Sequence, residues 1–384
     1  MKNRQIALSP FANTGRYKIR RMVHPNFHRQ IAPSNMGRSK YFLSVCTIIK
    51  DERNLEEFIL YHWIHGVEHF YIYDNESAIP IKDRLNFYLF KKICTIIYFP
   101  GKPQQLNSYN HCLKNYGHET TWLYFTDGDE YILPKKHTSL RNFLIKNNDA
   151  HAIGINWVFF GTSFHEKKQS GFVIDNYRYT CNAQDQHIKT VCKPFFSIRF
   201  DTPHHVILKD ASKYKDPLGN IISGPFNKIP GNSDIIQINH YYTRSIEESY
   251  EKQNRGRTDA LLEYTIPHLH ELNNDIKDDL ISDKYLHIIQ KLYEALHTNW
   301  EIYKALNNDL SLTLTHPDEY YKHLFYNGIK EGRLLKITDK YPTFSSEYYR
   351  NNYADLANFN IVELEKHYIY HGFNENRICD RSIL

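Results

Sequence analysis

From Tyr41 onward, short apolar runs alternate with stretches of helical periodicity, and this alternation limits the fold more than any other feature of the chain. Tyr41–Ile49 has the length and apolar character of a buried strand. Within Glu52–His65, Leu55, Phe58, Ile59 and Trp63 recur at helical spacing, and Gly66 stands where a helix should stop. His69–Tyr73 predicts a second strand. Pro80 opens a helix over Ile81–Phe90, since proline suits a first helical turn. Ile93–Phe99, Thr121–Thr126 and Ala152–Phe160 predict three further strands, separated by helices over Gln104–Tyr116 and Ser139–Lys146. Repetition of this kind specifies an α/β fold: a Rossmann-like, mostly parallel sheet with helices on both faces. Such sheets bind ligands beyond the carboxyl ends of their strands. That places attention on the loops Lys50–Glu52, Asp74–Ser77 and Asp127–Glu130.

The pattern changes after Phe160. Residues 161–240 read as strand and loop, with five prolines. Helices are expected from Ser245 to about Gly256 and from about Thr258 to Leu272. The last hundred residues contain a repeat: His323-Leu-Phe-Tyr-Asn-Gly-Ile-Lys-Glu-Gly-Arg333 returns as His367-Tyr-Ile-Tyr-His-Gly-Phe-Asn-Glu-Asn-Arg377. Upstream, Asn307-Asn308-Asp309-Leu310 matches Asn351–Leu356 with two residues inserted. Two helical copies suggest an appended module. The expected organisation is a basic arm over 1–40, an α/β domain over 41–275 and a helical module over 276–384.

Composition narrows the function. With 41% hydrophobic and 24% charged residues the 384-residue chain is ordinary globular protein. No apolar run reaches the roughly 18 residues of a membrane helix, and no signal-peptide core is visible. The six cysteines form no CxxC pair and no zinc spacing. These features lead to an expectation of a cytoplasmic protein. Residues 1–40 hold nine Lys/Arg and no acid, whereas the rest is mildly acidic. Such an arm suits peripheral contact with anionic membrane. No nucleic-acid-binding module accompanies it, so specific nucleic-acid recognition is not expected.

The strongest chemical signal is Trp122-Leu-Tyr-Phe-Thr-Asp127-Gly128-Asp129-Glu130. A buried strand delivers carboxylates onto a tight turn, where glycine permits close approach. Carboxylates there suit Mn²⁺ or Mg²⁺, which in turn neutralises a diphosphate. His62, His65 and His69 resemble a metal cluster, but Gly66 breaks their helix. They read as packing residues instead.

At this point the chain resembles glycosyltransferase family 92, and also the related bacterial family 2-like transferases. The resemblance rests on Ile49-Lys50-Asp51-Glu52, Tyr61–Asn75, Asp127–Glu130, Asn156–Gly161, Lys193-Pro194, His204-His205 and Asn239–Ser245 with Glu247-Glu248. The order is preserved from Tyr41 to Asp259. It implies the GT-A fold and a metal-dependent, inverting transfer of a hexose from a nucleotide sugar to a glycan or glycoconjugate. A UDP-sugar is favoured, UDP-galactose among them. It also implies roles. Asp127, Asp129 and His240 fall to the metal. Lys50, Glu52, Asp74, Asn75, Asp127, Arg244, Lys252 and Arg255 fall to the nucleotide sugar. Apart from these matches, an inverting mechanism needs a base for the acceptor hydroxyl. The sequence does not single one out among Asp185, Glu166, His187 and Asp201 of the acceptor segment, Asp185 being favoured, and Trp157 and Phe160 would stack on the acceptor. The alternative is an inactive sugar-binding or scaffold protein on the same fold.

Overall fold

The computed structural model describes residues 39–255 and 274–380. The basic arm up to residue 38 and the expected helix over Thr258–Leu272 lie outside the described residues. The described residues form two compact units, one of 39–86 with 90–289, the other of 290–380 with 87–89. The division between the units falls at Ile289, within the helix Leu280–Leu296. Residues just past 275 belong to the first unit physically: Ile276–Lys277 pairs with a strand of its sheet, and Tyr285 packs edge-on against Tyr61 at 5.6 Å.

The first unit is built on one ten-stranded sheet, with a separate two-stranded hairpin beside it. Its strands are β1 (Tyr41–Ile49), β2 (His69–Asp74), β3 (Cys94–Tyr98), β4 (Thr120–Phe125), β5 (Glu130–Pro134), β6 (Ala152–Phe160), β7 (Tyr179–Cys192), the β8–β9 hairpin (Ser197–Thr202, His205–Leu208), β10 (Tyr214–Lys215), β11 (Ile236–His240) and β12 (Ile276–Lys277). The main order is β3-β2-β1-β4-β7-β6-β11-β5, with β10 on β6 and β12 on β7. β1 to β4 are mutually parallel. β7 runs against both β4 and β6, so β6 and its parallel neighbour β11 point the same way as β1. The sheet is therefore mixed but mostly parallel. The carboxyl ends of β1, β2, β3, β4, β6 and β11, at Ile49, Asp74, Tyr98, Phe125, Phe160 and His240, open on one edge.

Side chains alternate across this sheet as the strand period demands. Cys46, Ile48, Tyr71, Tyr73, Leu123 and Phe125 pack with Tyr109 and Cys112 of the helix Gln105–Tyr116. Tyr124 faces the other way and meets His62 of the helix Leu55–Ile64. Gly66 ends that helix at φ +94°, and a Cβ there would lie 2.5 Å from Arg141 Cβ. All six cysteines are unpaired. No helix among the described residues is long and apolar enough to cross a membrane.

Two expectations are corrected. The single helix over Ile81–Phe90 is two short helices, Ile81–Arg84 and Tyr88–Ile93. Asp74 explains the first: its carboxylate accepts from Ile81 N (3.0 Å) and Ser77 N (3.0 Å), fixing the entry to the helix. The strand β5 was not expected, because the acidic turn before it reads as a loop; it pairs antiparallel with β11, matching Glu130 to His240.

In the second unit the repeat has a physical basis. His323 Nδ1 bonds Tyr303 Oη at 2.9 Å, and His367 Nδ1 bonds Tyr349 Oη at 2.9 Å. The same two hydroxyls occupy the space a Cβ would need on Gly328 and Gly372, so only glycine fits. Arg333 binds Asp309 and Glu331, as Arg377 binds Asp355 and Glu375. The two Asp–Arg pairs form although 24 residues separate Asp309 from Arg333 and 22 separate Asp355 from Arg377.

The histidines near the first helix are packing residues. His69 stacks on Tyr41 at 4.5 Å and bonds Thr95. His62 and His65 are fully buried, and neither ring nitrogen of His65 has a partner. Burial pushes His62 down to about 4 and His65 down to about 3. Unfolding returns them to about 6.5, so the unfolded chain binds more protons below that pH. Stability from each is complete above about pH 6.5 and drains as pH falls, by up to about 1.4 kcal/mol per pH unit. His65→Leu should therefore shift acid unfolding, followed by circular dichroism in fixed urea, to lower pH than in the wild type. An unchanged midpoint would show that His65 does not titrate on unfolding.

Candidate active site

The acidic turn sits between β4 and β5 on the shared edge. Gly128 is crowded there: a Cβ would lie 2.7 Å from Ile49 Cδ1 and 3.2 Å from Glu52 Cγ, so those side chains would have to shift. This seats the turn against the loop that follows β1. The two aspartates then point to different partners. Asp127 accepts from Lys189 Nζ through Oδ2 (2.8 Å), and from Gln105 Nε2 (2.5 Å) and Tyr109 Oη (3.2 Å) through Oδ1. Asp129 accepts from Lys252 Nζ at 2.5 Å and faces His240 Nε2 at 3.5 Å. Burial alone would raise Asp129, but Lys252 and His240, with Arg244, hold it well below the usual carboxylate range. Glu130 is fully buried. It accepts from Thr126 Oγ1 (2.8 Å) and Asp127 N (3.0 Å), and burial drives its carboxyl upward.

Lys189, from β7, completes this cluster. Its side chain is wholly buried, 2.8 Å from Asp127 and 3.7 Å from Glu130. Burial opposes its charge, yet Asp127 and Glu130 keep it above the usual lysine value. Lys189, Gln105 and Tyr109 were missed by sequence reasoning, and Glu130 was read only as part of the acidic turn. One signal was present: Asp185, His187 and Lys189 alternate, and alternation puts them on one face of a strand.

The remaining candidates line up around the turn. Glu52 Oε1 accepts from Arg244 Nη1 at 2.9 Å. Burial lowers and Glu52 raises Arg244, the balance lying above its usual value. Asp51 (φ +53°) and Arg244 (φ +50°) both adopt the left-handed region, a strain that clusters at working sites. Both line a cavity of about 350 Å³ with Glu52, Asp129, Tyr242 and Lys252. Lys50 is partly buried at the end of β1. Asp74 is committed to backbone amides, and Asn75 donates to Phe99 O (2.8 Å) and Gly101 O (2.9 Å), so both shape the neighbouring loop. Arg255 ends the helix Ile246–Arg255, its side chain outside the described residues.

The two acceptor aromatics separate. Trp157 is 8% exposed and stands between His240 (4.4 Å), His187 (5.1 Å) and His204 (5.1 Å). Phe160 has no exposed surface and packs against Tyr241 at 4.9 Å, so it serves the core and not an acceptor surface. Asp185 is partly exposed and bonds His187.

Among the described residues no three His, Cys, Asp or Glu side chains form a metal cage. Asp129 and His240 do offer an oxygen and a nitrogen to one space, and His240 Nδ1 is buried without a partner. Two protein ligands fit a divalent ion that takes its other ligands from diphosphate and water. Both oxygens of Asp127 already bear protein donors.

Breaking the buried pair should be costly. Lys189→Met leaves Asp127 and Glu130 without their cation and should cost about 3–5 kcal/mol in urea unfolding. Lys252→Met, on a partly exposed lysine, should cost about 1 kcal/mol or less. Equal losses would mean that Lys189 does not hold the turn.

Residues 39–276 match glycosyltransferase family 92. A glycosyltransferase family 92 protein of Oryza sativa subsp. japonica is 28% identical over 191 residues, 46% of this chain and 31% of the relative. One of Ricinus communis is 28% identical over 195 residues, 46% of this chain and 33% of the relative. The chain thus spans about a third of the length of these curated relatives. Among solved structures, HddC from Yersinia pseudotuberculosis aligns with a TM-score of 0.27 at 10% identity, over 41% of this chain and 78% of that one. The match covers more than half of the chain, from the first strand of the sheet to its last, and with it the turn at Asp127–Asp129: this chain belongs to glycosyltransferase family 92.

Proposed function

We propose that the protein is a metal-dependent, inverting glycosyltransferase that moves a hexose from a nucleotide sugar to a glycan or glycoconjugate acceptor. Family membership supports glycosyl transfer. The observation that carries the finer reading is the pairing of Asp129 with His240 beside Lys252 and Arg244, on the edge where the parallel strands end. In this reading Asp129 and His240 hold Mn²⁺ or Mg²⁺, which when bound would neutralise charge on a leaving diphosphate. Asp127, kept rigid by Lys189, Gln105 and Tyr109, presents its carboxylate towards the sugar or ribose. Lys252 is the mobile cation that exchanges a carboxylate for a phosphate, and Arg244 stays fixed by Glu52. Lys50, Asp74, Asn75 and Arg255 belong to the loops and helix around the nucleotide. A UDP-sugar such as UDP-galactose is the favoured donor. The place of work is cytoplasmic, with the basic residues 1–40 touching anionic membrane.

Calorimetry with UDP-galactose and other UDP-sugars, with and without Mn²⁺, tests this against the scaffold alternative. Metal-dependent binding with transfer is expected. Sugar binding without metal dependence or turnover would favour the scaffold. Asp129→Ala should lower transfer by at least about a hundredfold, the scale of a lost transition-state electrostatic contact, while circular dichroism is unchanged. More than a tenth of wild-type turnover in saturating Mn²⁺ would remove Asp129 from the metal.

The pH dependence of metal binding follows from His240. Only its neutral ring can bind an ion, and burial depresses its proton affinity against the pull of Asp129. Mn²⁺ affinity should therefore hold from pH 8 to about 6.5, the free histidine value, and fall only below it. In His240→Ala, Mn²⁺ should bind more weakly at pH 7.5, and the decline on acidification should flatten. The same Mn²⁺ affinity and pH profile as wild type would make this histidine structural.

A further inference from the structure

The register between β6 and β7 breaks beside Trp157. Asn156 pairs with Ile188 and Val158 with Gln184, so Asp185, Gln186 and His187 together stand opposite the single residue Trp157. Bulges of this kind re-aim side chains next to sites. This one is held from behind. Buried Asn156 donates through Nδ2 to Asp185 O (2.8 Å) and to Asn227 O (2.8 Å). Asn227 N in turn donates to Gln186 O at 2.7 Å.

The bulge turns two side chains toward solvent on the face that carries Lys189. Asp185 Oδ1 accepts from His187 N at 2.8 Å and lies 2.6 Å from His187 Nδ1. With Nδ1–H bound to the carboxylate, the lone pair of the imidazole is on Nε2. The ring is 36% exposed and stacks on Trp157 with planes 22° apart, while the other contacts of that indole include His240. Phe226, 44% exposed, meets His187 edge-on at 4.8 Å and supplies an aromatic surface beside it. A second Asp–His pair, Asp201 with His205 at 2.8 Å, belongs to the β8–β9 hairpin and stacks on Tyr214, away from Trp157.

Resting on the transfer reading above, we infer that His187 is the base that deprotonates the acceptor hydroxyl and that Asp185 is its positioning residue. The hydroxyl proton passes to His187 Nε2 as the hydroxyl oxygen bonds to the anomeric carbon. The bond from that carbon to the diphosphate oxygen breaks, and its electron pair leaves on the diphosphate. Asp185 holds the tautomer and stabilises the imidazolium, which then loses its proton to water. Asp185 thus acts through the histidine rather than on the acceptor.

The full chain is assayed with UDP-galactose, Mn²⁺ and a panel of p-nitrophenyl hexosides as acceptors. His187→Ala should lose about a hundredfold or more in kcat, the usual share of a general base, with the Kd for UDP-galactose within twofold of wild type. Added imidazole should restore at least a tenfold share of the loss, which a structural defect would not allow. Asp185→Asn should lower kcat by at least tenfold with little change in acceptor KM. His205→Ala, on the second pair, should match wild type. His187→Gln replaces His187→Ala if the latter does not fold; it should show the same loss with UDP-galactose binding kept. A kcat within threefold of wild type in either His187 variant, or a loss in His187→Ala that imidazole leaves untouched, would overturn the assignment of His187. A wild-type chain that neither binds UDP-galactose nor transfers to any acceptor would instead overturn the proposed function, and this inference with it.

Discussion

A wholly buried ammonium group organises the candidate site. Lys189 has no exposed side-chain surface, and its charge is tolerable only because Asp127 and Glu130 surround it. The pairing ties β7, which runs against its neighbours, to the turn between β4 and β5. Without that cation the buried Glu130, whose carboxyl burial already drives upward, and Asp127 would face each other with no positive charge between them. With it, Asp127 is fixed by donors on both oxygens while Asp129 is left to the cavity side. The division of labour between two aspartates one residue apart follows from where the lysine stands.

The same logic of fixed and exchangeable cations runs through the cavity. Arg244 is buried, bound to Glu52 and held in a left-handed backbone conformation, so it is a rigid charge. Lys252 is partly exposed, lies 3.8 Å from the Tyr242 ring and has its ammonium on Asp129. A flexible lysine can trade a carboxylate for a phosphate at small cost, whereas a buried arginine cannot move. A pocket for an anionic ligand needs both: one charge to define the place, another to release the carboxylate when the ligand arrives.

The second unit uses shape rather than charge to repeat itself. In each copy a tyrosine hydroxyl bonds a histidine and leans on a glycine where no Cβ fits. The Arg–Asp–Glu cluster at each end is exposed and contributes little to stability. It recurs although the aspartate and arginine are 24 residues apart in one copy and 22 in the other.

Much of this was legible in the residues. Apolar runs and their periods placed β1, β2, β4 and β6, because burial on both faces demands uninterrupted apolar strands; β3, a half-buried edge strand, was placed by its apolar run alone. The Asp127-Gly128-Asp129 turn, Gly66 as a helix stop and the 44-residue repeat were equally visible, since each depends on local spacing. What the sequence could not settle depends on contacts between distant segments. Whether Asp127 or Asp129 faces the cavity is decided by Lys189, 62 residues downstream. The crowding around Gly128 comes from Ile49 and Glu52, and not from its own backbone angles. Phe160 and Trp157 read alike in the sequence, but a strand sends residues three apart to opposite faces, and only the packing of Tyr241 shows which face is closed. Asp185 and His187 read as separate candidates; the bulge opposite Trp157 joins them, because an irregular register is a property of two strands together and no single strand encodes it.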